Sequence, residues 1–130
     1  MSLRVVLIED NHDHIYLIKS LLEDYEEIGE VIVFEDAESA LEGLTSSNEK
    51  GESLFPDLVL LDLKLPRMSG LDFLDRYRKS LAGKNIPVFV LTSSDRTQER
   101  KRSEDLDVMD YFLKPLTEAD VEKILQRIAG

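Results

Sequence analysis

Five short apolar runs alternate along the chain with segments whose apolar residues recur at every third or fourth position. The runs cover residues 3–8, 31–34, 58–61, 87–91 and 108–112. Short runs rich in branched and aromatic residues favour β-strands, and the three-to-four spacing is typical of amphipathic helices. Strands separated by helices pair in parallel, because a parallel connection needs a crossover. The pattern therefore predicts an α/β fold, a doubly wound five-stranded parallel sheet with helices on both faces.

Five helices are predicted, one after each strand. Asp13 is expected to cap the first helix, and the second is expected to open at 36–37. The third is predicted over 70–81, and the last begins after a cap at Thr117. The segment 95–105 is polar and charged, so it predicts a weaker helix with little apolar face.

Residues 1–130 are predicted to form one domain, since this length suits a single core. The turn-rich stretch 45–55 is expected to be a loop, because neither side is large enough for a separate core. The absence of cysteine and the presence of only two histidines argue against disulfides, thiolate sites and zinc. No apolar run approaches the ~18 residues of a membrane helix and no signal peptide is expected, so a soluble, cytoplasmic protein without membrane contact is predicted.

Acidic residues outnumber basic residues by 27 to 16, which gives a net charge of -11. Nucleic-acid binding needs a basic face, so direct contact with nucleic acid is not expected. The surplus of carboxylates favours cations or basic partners instead. Most of these carboxylates are expected on the solvated surface, and the informative ones are those placed at strand ends.

Polar residues follow four of the predicted strands at their carboxyl ends. Glu9 and Asp10 follow the first strand, Asp62 the third, Thr92 the fourth and Lys114 the fifth. In a parallel sheet these ends meet at one edge, where ligands gather near the reversal of strand order. The sequence therefore predicts one polar site built from parts of the chain that are far apart in sequence.

The chemistry of this predicted site is that of cation binding and phosphoryl transfer. Two carboxylates ~4 Å apart repel by roughly 4 kcal/mol at an effective dielectric near 20. Oxygen ligands favour Mg²⁺, Mn²⁺ or Ca²⁺ over zinc. Asp62 is a candidate nucleophile toward a phosphoryl group, whose oxygens the metal, Lys114 and the Thr92 hydroxyl are placed to stabilise.

Four motifs now suggest a family. They are LIEDN (7–11), LVLLDLKLPRMSG (58–70), VFVLTSS (88–94) and DYFLKP (110–115). In this order, and over essentially the whole chain, they resemble the response-regulator receiver domain of two-component signalling. The resemblance implies the flavodoxin-like (βα)5 fold and a regulatory phosphoacceptor rather than an enzyme that acts on other substrates.

The resemblance also implies a role for each acidic residue. Asp62 would accept a phosphoryl group from a histidine kinase or a phosphotransfer protein. Asp10 would ligate Mg²⁺ directly, with Mn²⁺ as a possible substitute, and Glu9 would hold the ion through water. Asp62 and the backbone carbonyl of Lys64 would complete the metal ligands.

Further implied roles concern phosphate binding and signal output. Thr92 and Lys114 would bind the phosphoryl oxygens, and the peptide bond between Lys114 and Pro115 would be cis. Tyr111 would be the aromatic switch whose rotamer follows the state of Thr92. A stand-alone receiver is expected, which signals to an unknown protein target through the helix at 95–105, the fifth strand and the last helix.

Several positions depart from the usual pattern of the family or need a separate prediction. Asp107 and Val108 stand where a Gly-Ala pair is usual, which puts the start of the fifth strand in question. Lys64 and Ser94 occupy the positions that tune phosphate loss in the family. Gly70 is expected to serve as a turn residue that allows positive φ.

The two histidines of the chain, at positions 12 and 14, are both expected to be solvated.

Two other functions fit parts of the same pattern. One is a receiver-like adaptor that acts by protein binding alone, without phosphorylation, and such an adaptor need not respond to magnesium. The other is a magnesium-dependent phosphatase with an aspartate nucleophile. Such an enzyme wants a second aspartate as general acid at the position of Lys64, and it needs a lid domain that this chain has no room for.

Overall fold

The computed structural model describes residues 2–46, 55–93 and 106–130. Their five strands form one parallel sheet in the order β2-β1-β3-β4-β5. The strands are β1 (Leu3–Ile8), β2 (Ile28–Phe34), β3 (Leu58–Asp62), β4 (Val88–Thr92) and β5 (Asp110–Leu113). The strand order reverses at β1, which has β2 on one side and β3 on the other. The predicted five-stranded parallel sheet is confirmed.

Each described helix begins after a residue whose side-chain oxygen accepts a backbone N–H. The helices are α1 (His12–Glu23), α2 (Ala37–Thr45), α3 (Gly70–Lys79) and the C-terminal helix (Glu118–Ala129), capped in turn by Asn11, Asp36, Ser69 and Thr117. The prediction of Asp13 as the first cap is wrong. Asn11 has the extended backbone of a cap and accepts from the His14 N–H, whereas Asp13 already lies in the first turn.

Two apolar clusters cover the two faces of the sheet. On one face α2 and α3 pack against alternate strand residues such as Val6 and Val59. On the other face α1 and the C-terminal helix pack against their neighbours, such as Leu7 and Leu60. The predicted burial of both faces is confirmed, and it explains why the strands read as continuous apolar runs. The helix predicted at 95–105 and most of the loop predicted at 45–55 lie outside the described residues.

The start of β5 differs from its prediction because of the backbone at Asp107. This residue has a φ of 60°, in the left-handed region that glycine adopts most easily. Extended pairing begins only at Asp110, two residues later than predicted. The departure from the Gly-Ala pattern leaves the five-stranded sheet intact, and the edge strand β5 has four residues.

Arg78 joins this turn to the body of the protein. Its guanidinium donates hydrogen bonds to four main-chain carbonyl oxygens: Leu106 at 2.8 Å, Asp107 at 2.8 Å, Gly83 at 2.8 Å and Ile86 at 2.6 Å. We call Arg78 and these four carbonyls the Arg78 clasp. Burial lowers the pKa of Arg78. The clasp ties α3 to the segment that leads into β5.

Tyr77 precedes the clasp residue and lies in the core below it. The ring is fully buried and stacks on Phe73, with centroids 5.3 Å apart. Within the described parts of the chain its hydroxyl has no hydrogen-bond partner. Burial raises the pKa of Tyr77 to about 12.

Gly70 begins α3 directly against the end of β3. Its φ is not in the left-handed region, so the prediction of a positive-φ turn residue is wrong. A Cβ at this position would lie 2.5 Å from the Asp62 carbonyl oxygen and 2.7 Å from the Leu63 Cα. Glycine is needed here for close approach, and the positive φ of this connection falls on Arg67 instead.

A search of the described helices finds none with the length and apolar character needed to cross a bilayer.

Candidate functional site

The carboxyl ends of the strands bring the predicted polar residues to one edge of the sheet. Glu9 directly follows β1 and Lys114 directly follows β5, whereas Asp62 and Thr92 are the last residues of β3 and β4. The last two were predicted just beyond their strands, and they lie within them because pairing continues for one more residue. We call this group the carboxyl-edge site.

Three carboxylates of this site lie close enough to share one cation. One oxygen from each of Glu9, Asp10 and Asp62 lies within 4.8 Å of the other two. Glu9 is fully buried and Asp62 is 5% exposed, whereas Asp10 is exposed. The backbone N–H groups of Asp10 and Asn11 donate to Glu9 Oε2 at 3.1 and 3.3 Å, so the turn after β1 holds this carboxylate in place.

Lys114 places one ammonium among these carboxylates. Its Nζ donates to Glu9 Oε1 and, at 3.1 Å, to Asp62 Oδ2. The side chain is only 10% exposed. Its backbone N–H donates to the Thr92 carbonyl at 2.8 Å, and the peptide bond to Pro115 is cis. The ammonium therefore bridges the ends of β1 and β3 from the end of β5.

The electrostatics of the site leave it short of positive charge. Burial raises the pKa of Glu9, the hydrogen bond from Lys114 lowers it, and the nearby charge of Asp62 raises it again, with a net upward shift. Three carboxylates face one ammonium, and a divalent cation relieves the remaining repulsion.

The donor set fits Mg²⁺ or Mn²⁺. The three carboxylates offer oxygen ligands, and Mg²⁺ ligands at 2.0–2.1 Å from an octahedral ion lie roughly 3–4 Å apart. The exposed Asp10 leaves one side open to the water molecules that Mg²⁺ retains. Lys64 donates its backbone N–H to Asp62 Oδ1 at 3.1 Å, which orients the carboxylate.

Thr92 and Tyr111, the predicted switch residues, lie beside one groove. The groove has a volume of about 570 Å³ and is lined by Thr92, Lys114 and Tyr111 together with residues of the C-terminal helix. Thr92 is 8% exposed and Tyr111 is half-buried against the α2–α3 face of the core. The groove therefore runs from the carboxyl-edge site to the outer surface of β5.

His14 was predicted to be solvated, and its side chain is partly exposed, but its ring also contacts the site. Its Nδ1 lies 3.2 Å from Lys114 Nζ, and its side chain is 41% exposed. The sequence signal was its place in the first turn of a helix that opens at the site. His12, in contrast, is largely exposed and pairs with Glu35.

The sequence matches the family model of the response regulator receiver domain over residues 5–126. The chain is 34% identical over 124 residues to the probable methanogenesis regulatory protein FilR2 of Methanothrix harundinacea, an alignment that covers 95% of this chain and 79% of FilR2. It is 32% identical over 124 residues to the response regulator Rcp1 of Synechocystis, with 95% of this chain and 84% of Rcp1 covered.

Solved structures show the same fold. The Mn²⁺-bound form of Rcp1 superimposes with a TM-score of 0.79 at 31% identity, over 97% of this chain and 91% of that one. The phosphorylated cyanobacterial phytochrome response regulator RcpA superimposes with a TM-score of 0.81 at 31% identity, over 98% and 91% of the two chains. Both likenesses extend over nearly the whole sheet and its helices.

Proposed function

This chain belongs to the response-regulator receiver family, and from that premise we propose that Asp62 accepts a phosphoryl group in a Mg²⁺-dependent reaction. The donor is the phosphohistidine of a histidine kinase or of a phosphotransfer protein. The observation that carries the proposal is the Lys114 ammonium 3.1 Å from Asp62 Oδ2, within a group of three carboxylates that can share a cation. Residues 1–130 act in it as one receiver unit.

Each residue of the site has a defined part in this reaction. An oxygen of Asp62 forms a bond to phosphorus as the bond to the donor nitrogen breaks, and the leaving imidazole takes the electron pair. Lys114 and the Thr92 hydroxyl bind the phosphoryl oxygens. Asp10, Asp62 and the Lys64 carbonyl would hold the metal ion directly and Glu9 would hold it through water, and the bound ion would neutralise charge on the phosphoryl group.

The direct test is incubation with a small phosphodonor and Mg²⁺ followed by intact-mass measurement. We expect a gain of one phosphoryl group, sensitive to hydroxylamine as acyl phosphates are, and no gain in Asp62→Asn. The exposed Asp72 provides a matched control, since Asp72→Asn should still gain the group. An unchanged gain in Asp62→Asn, or none in the wild type, would remove the proposal and leave an adaptor that acts by binding alone.

The output of the proposed phosphorylation is a change at the β5 surface. A hydrogen bond from Thr92 to the phosphoryl group moves its side chain toward Asp62, and Tyr111 follows along the shared groove. The partner is an unidentified protein that docks on the segment 95–105, β5 and the C-terminal helix. Amide chemical-shift changes in β5 on phosphorylation should shrink in Thr92→Ala, with Thr45→Ala at the exposed end of α2 as the control.

Lys64 is proposed to slow loss of the phosphoryl group. Lys64 lies two residues after Asp62 and is exposed. Its ammonium can reach the phosphoryl oxygens or an acidic neighbour, where it would hinder the attack of water. Lys64→Ala should shorten the lifetime of the phosphorylated form, whereas Lys79→Ala on the far end of α3 should not. An unchanged lifetime in Lys64→Ala would show that this cation has no such role. Ser94, the other position expected to tune lifetime, lies outside the described residues.

A further inference from the structure

The Lys114 ammonium has three N–H donors, and the structure offers each of them an acceptor. Two acceptors are the carboxylates of Glu9 and Asp62, and the third is Nδ1 of His14 at 3.2 Å. With its side chain 10% exposed, the lysine has little access to water that would replace a missing acceptor. His14 therefore completes the hydrogen bonding of a nearly buried charge.

The chemistry of the contact fixes which ring nitrogen is involved. An ammonium group has donors and no acceptor, so a hydrogen bond at this contact requires that His14 Nδ1 accepts and that the ring proton is on Nε2. Glu9 Oε1 lies 3.5 Å from Nδ1, which is farther than the 3.2 Å from Nδ1 to Lys114 Nζ. The contact is thus a hydrogen bond from ammonium to imidazole and does not require a charged histidine.

The backbone of His14 is held by the cap of α1 and makes no direct bond to the carboxylates of the site. Its N–H donates to Asn11 Oδ1 at 3.0 Å, the capping bond that starts α1. The ring also borders a groove of about 320 Å³ that Leu17, Ser93 and Pro115 line together with Lys114. His14 therefore lies between solvent and the ammonium, on an element that is not part of the strand ends.

We propose that His14 is a positioning residue for phosphoryl transfer, which holds the Lys114 ammonium at the site while the other two acceptors change. When the phosphoryl group bonds to Asp62, the ammonium has to turn from the carboxylates to phosphoryl oxygens. The bond to His14 is the one of the three that this step leaves in place. The proposal rests on the proposed function, because it assumes that Lys114 binds the phosphoryl group.

The test compares two substitutions at position 14. His14→Asn keeps a side-chain acceptor near the place of Nδ1, and His14→Leu keeps a similar volume without an acceptor. We expect the maximal rate of phosphorylation by a small phosphodonor with Mg²⁺ to fall about tenfold in His14→Leu and to return to within about threefold of wild type in His14→Asn. His12→Leu, on the exposed side of the same helix, is the matched control and should leave the rate unchanged.

A second readout uses the metal-free protein and needs no phosphorylation. The Lys114 ¹⁵Nζ–H resonances should exchange slowly with water in the wild type and in His14→Asn, and should broaden in His14→Leu. Equal rates in all three proteins, or equal exchange, would overturn the role of His14. If no variant takes up phosphate, the proposed function fails while the exchange measurement still decides whether His14 holds the ammonium.

Discussion

The carboxyl-edge site and the Arg78 clasp each bind a partly buried cation, and they do so in opposite ways. Lys114 is held by side chains from three elements, namely Glu9, Asp62 and His14. Arg78 is held by four main-chain carbonyls and by no carboxylate at hydrogen-bond distance among the described residues. Side-chain acceptors can be protonated, can bind a metal or can react, whereas carbonyl acceptors stay as the fold places them.

The carboxyl-edge site can therefore change its hydrogen bonds when a metal or a proton binds, whereas the Arg78 clasp keeps the same hydrogen bonds. At the carboxyl edge, the partners of Lys114 carry unbalanced charge, and their state depends on metal and pH. At the clasp, the acceptors are neutral carbonyls, so the hydrogen bonds of the guanidinium do not depend on metal or pH. Four predictions break or sharpen this comparison, beginning with the largest expected effect.

Arg78→Ala should lower the free energy of unfolding by about 3 kcal/mol, because several carbonyls lose their donor at once. The loss should be the same with and without Mg²⁺. Lys114→Ala should instead be more destabilising without Mg²⁺, since a metal ion can replace the missing positive charge beside Glu9 and Asp62. Urea unfolding of both variants, with and without Mg²⁺, measures the two losses of unfolding free energy. If both losses depend on Mg²⁺ to the same extent, the two regions do not differ in the way described.

Asp10→Asn should remove most of the stabilisation that Mg²⁺ gives the wild type. At a hundredfold excess over its dissociation constant, a ligand that binds only the folded state stabilises it by about 2.7 kcal/mol. Without Mg²⁺ the variant should be slightly more stable than the wild type, because one of three mutually close carboxylates becomes neutral. Thermal unfolding with Mg²⁺ or EDTA checks both signs, and Asp13→Asn on α1 serves as the control that keeps the metal response.

Tyr77→Phe should stabilise the protein by about 1 kcal/mol at pH 7, because a buried hydroxyl without a partner costs free energy. The pKa of Tyr77 is about 12 in the folded state and 10.0 for free tyrosine, so the folded state holds its proton more tightly. Wild-type stability is therefore complete below pH 10 and falls as pH rises toward 12, by up to roughly 3 kcal/mol for a shift of this size. In urea unfolding at pH 9–11, the free energy of unfolding of the phenylalanine variant should lack the fall with pH that ionisation of Tyr77 causes. If the variant is less stable than the wild type at pH 7, the hydroxyl has a hydrogen-bond partner.

Asp107 should give smaller effects than the loss expected at Tyr77 at high pH, since its strain lies in one backbone turn. Asp107→Gly should change stability by less than about 1 kcal/mol, because relief of the left-handed strain and the added freedom of the unfolded chain oppose each other. Asp107→Val should cost about 1–2 kcal/mol, since a branched residue does not adopt a φ of 60° easily. If valine were tolerated as well as glycine, the turn would not be held in that conformation by the clasp.

The sequence predicted the parts of this molecule that depend on local signals. The apolar runs and the helical spacing predicted the sheet and the burial of its two faces. The positions after the strands predicted that Glu9, Asp10, Asp62 and Lys114 meet at one site. The choice of first cap was wrong because Asn11 and Asp13 are both good capping residues, and only the actual path of the chain after β1 separates them.

The remaining differences depend on contacts between distant residues. The late start of β5 reflects a left-handed turn bonded to Arg78, 29 positions away in sequence. His14 joins the site through Lys114, at a separation of 100 positions. Neither contact changes the periodicity or the composition around it, so a short window of sequence does not reveal the turn bonded to Arg78, and it places His14 only in a helical turn near the site.

The close approach at Gly70 has a practical consequence for redesign of the connection between β3 and α3. Lys64 faces solvent, so this position should accept many side chains without disturbing the scaffold, and the proposed effect on phosphoryl lifetime can be tested there. Position 70 is different, because even one added methyl group meets the main chain of the acceptor strand. A graft that exchanges this connection between receivers should keep the glycine and the number of residues before it, so that Asp62 stays beside Lys114.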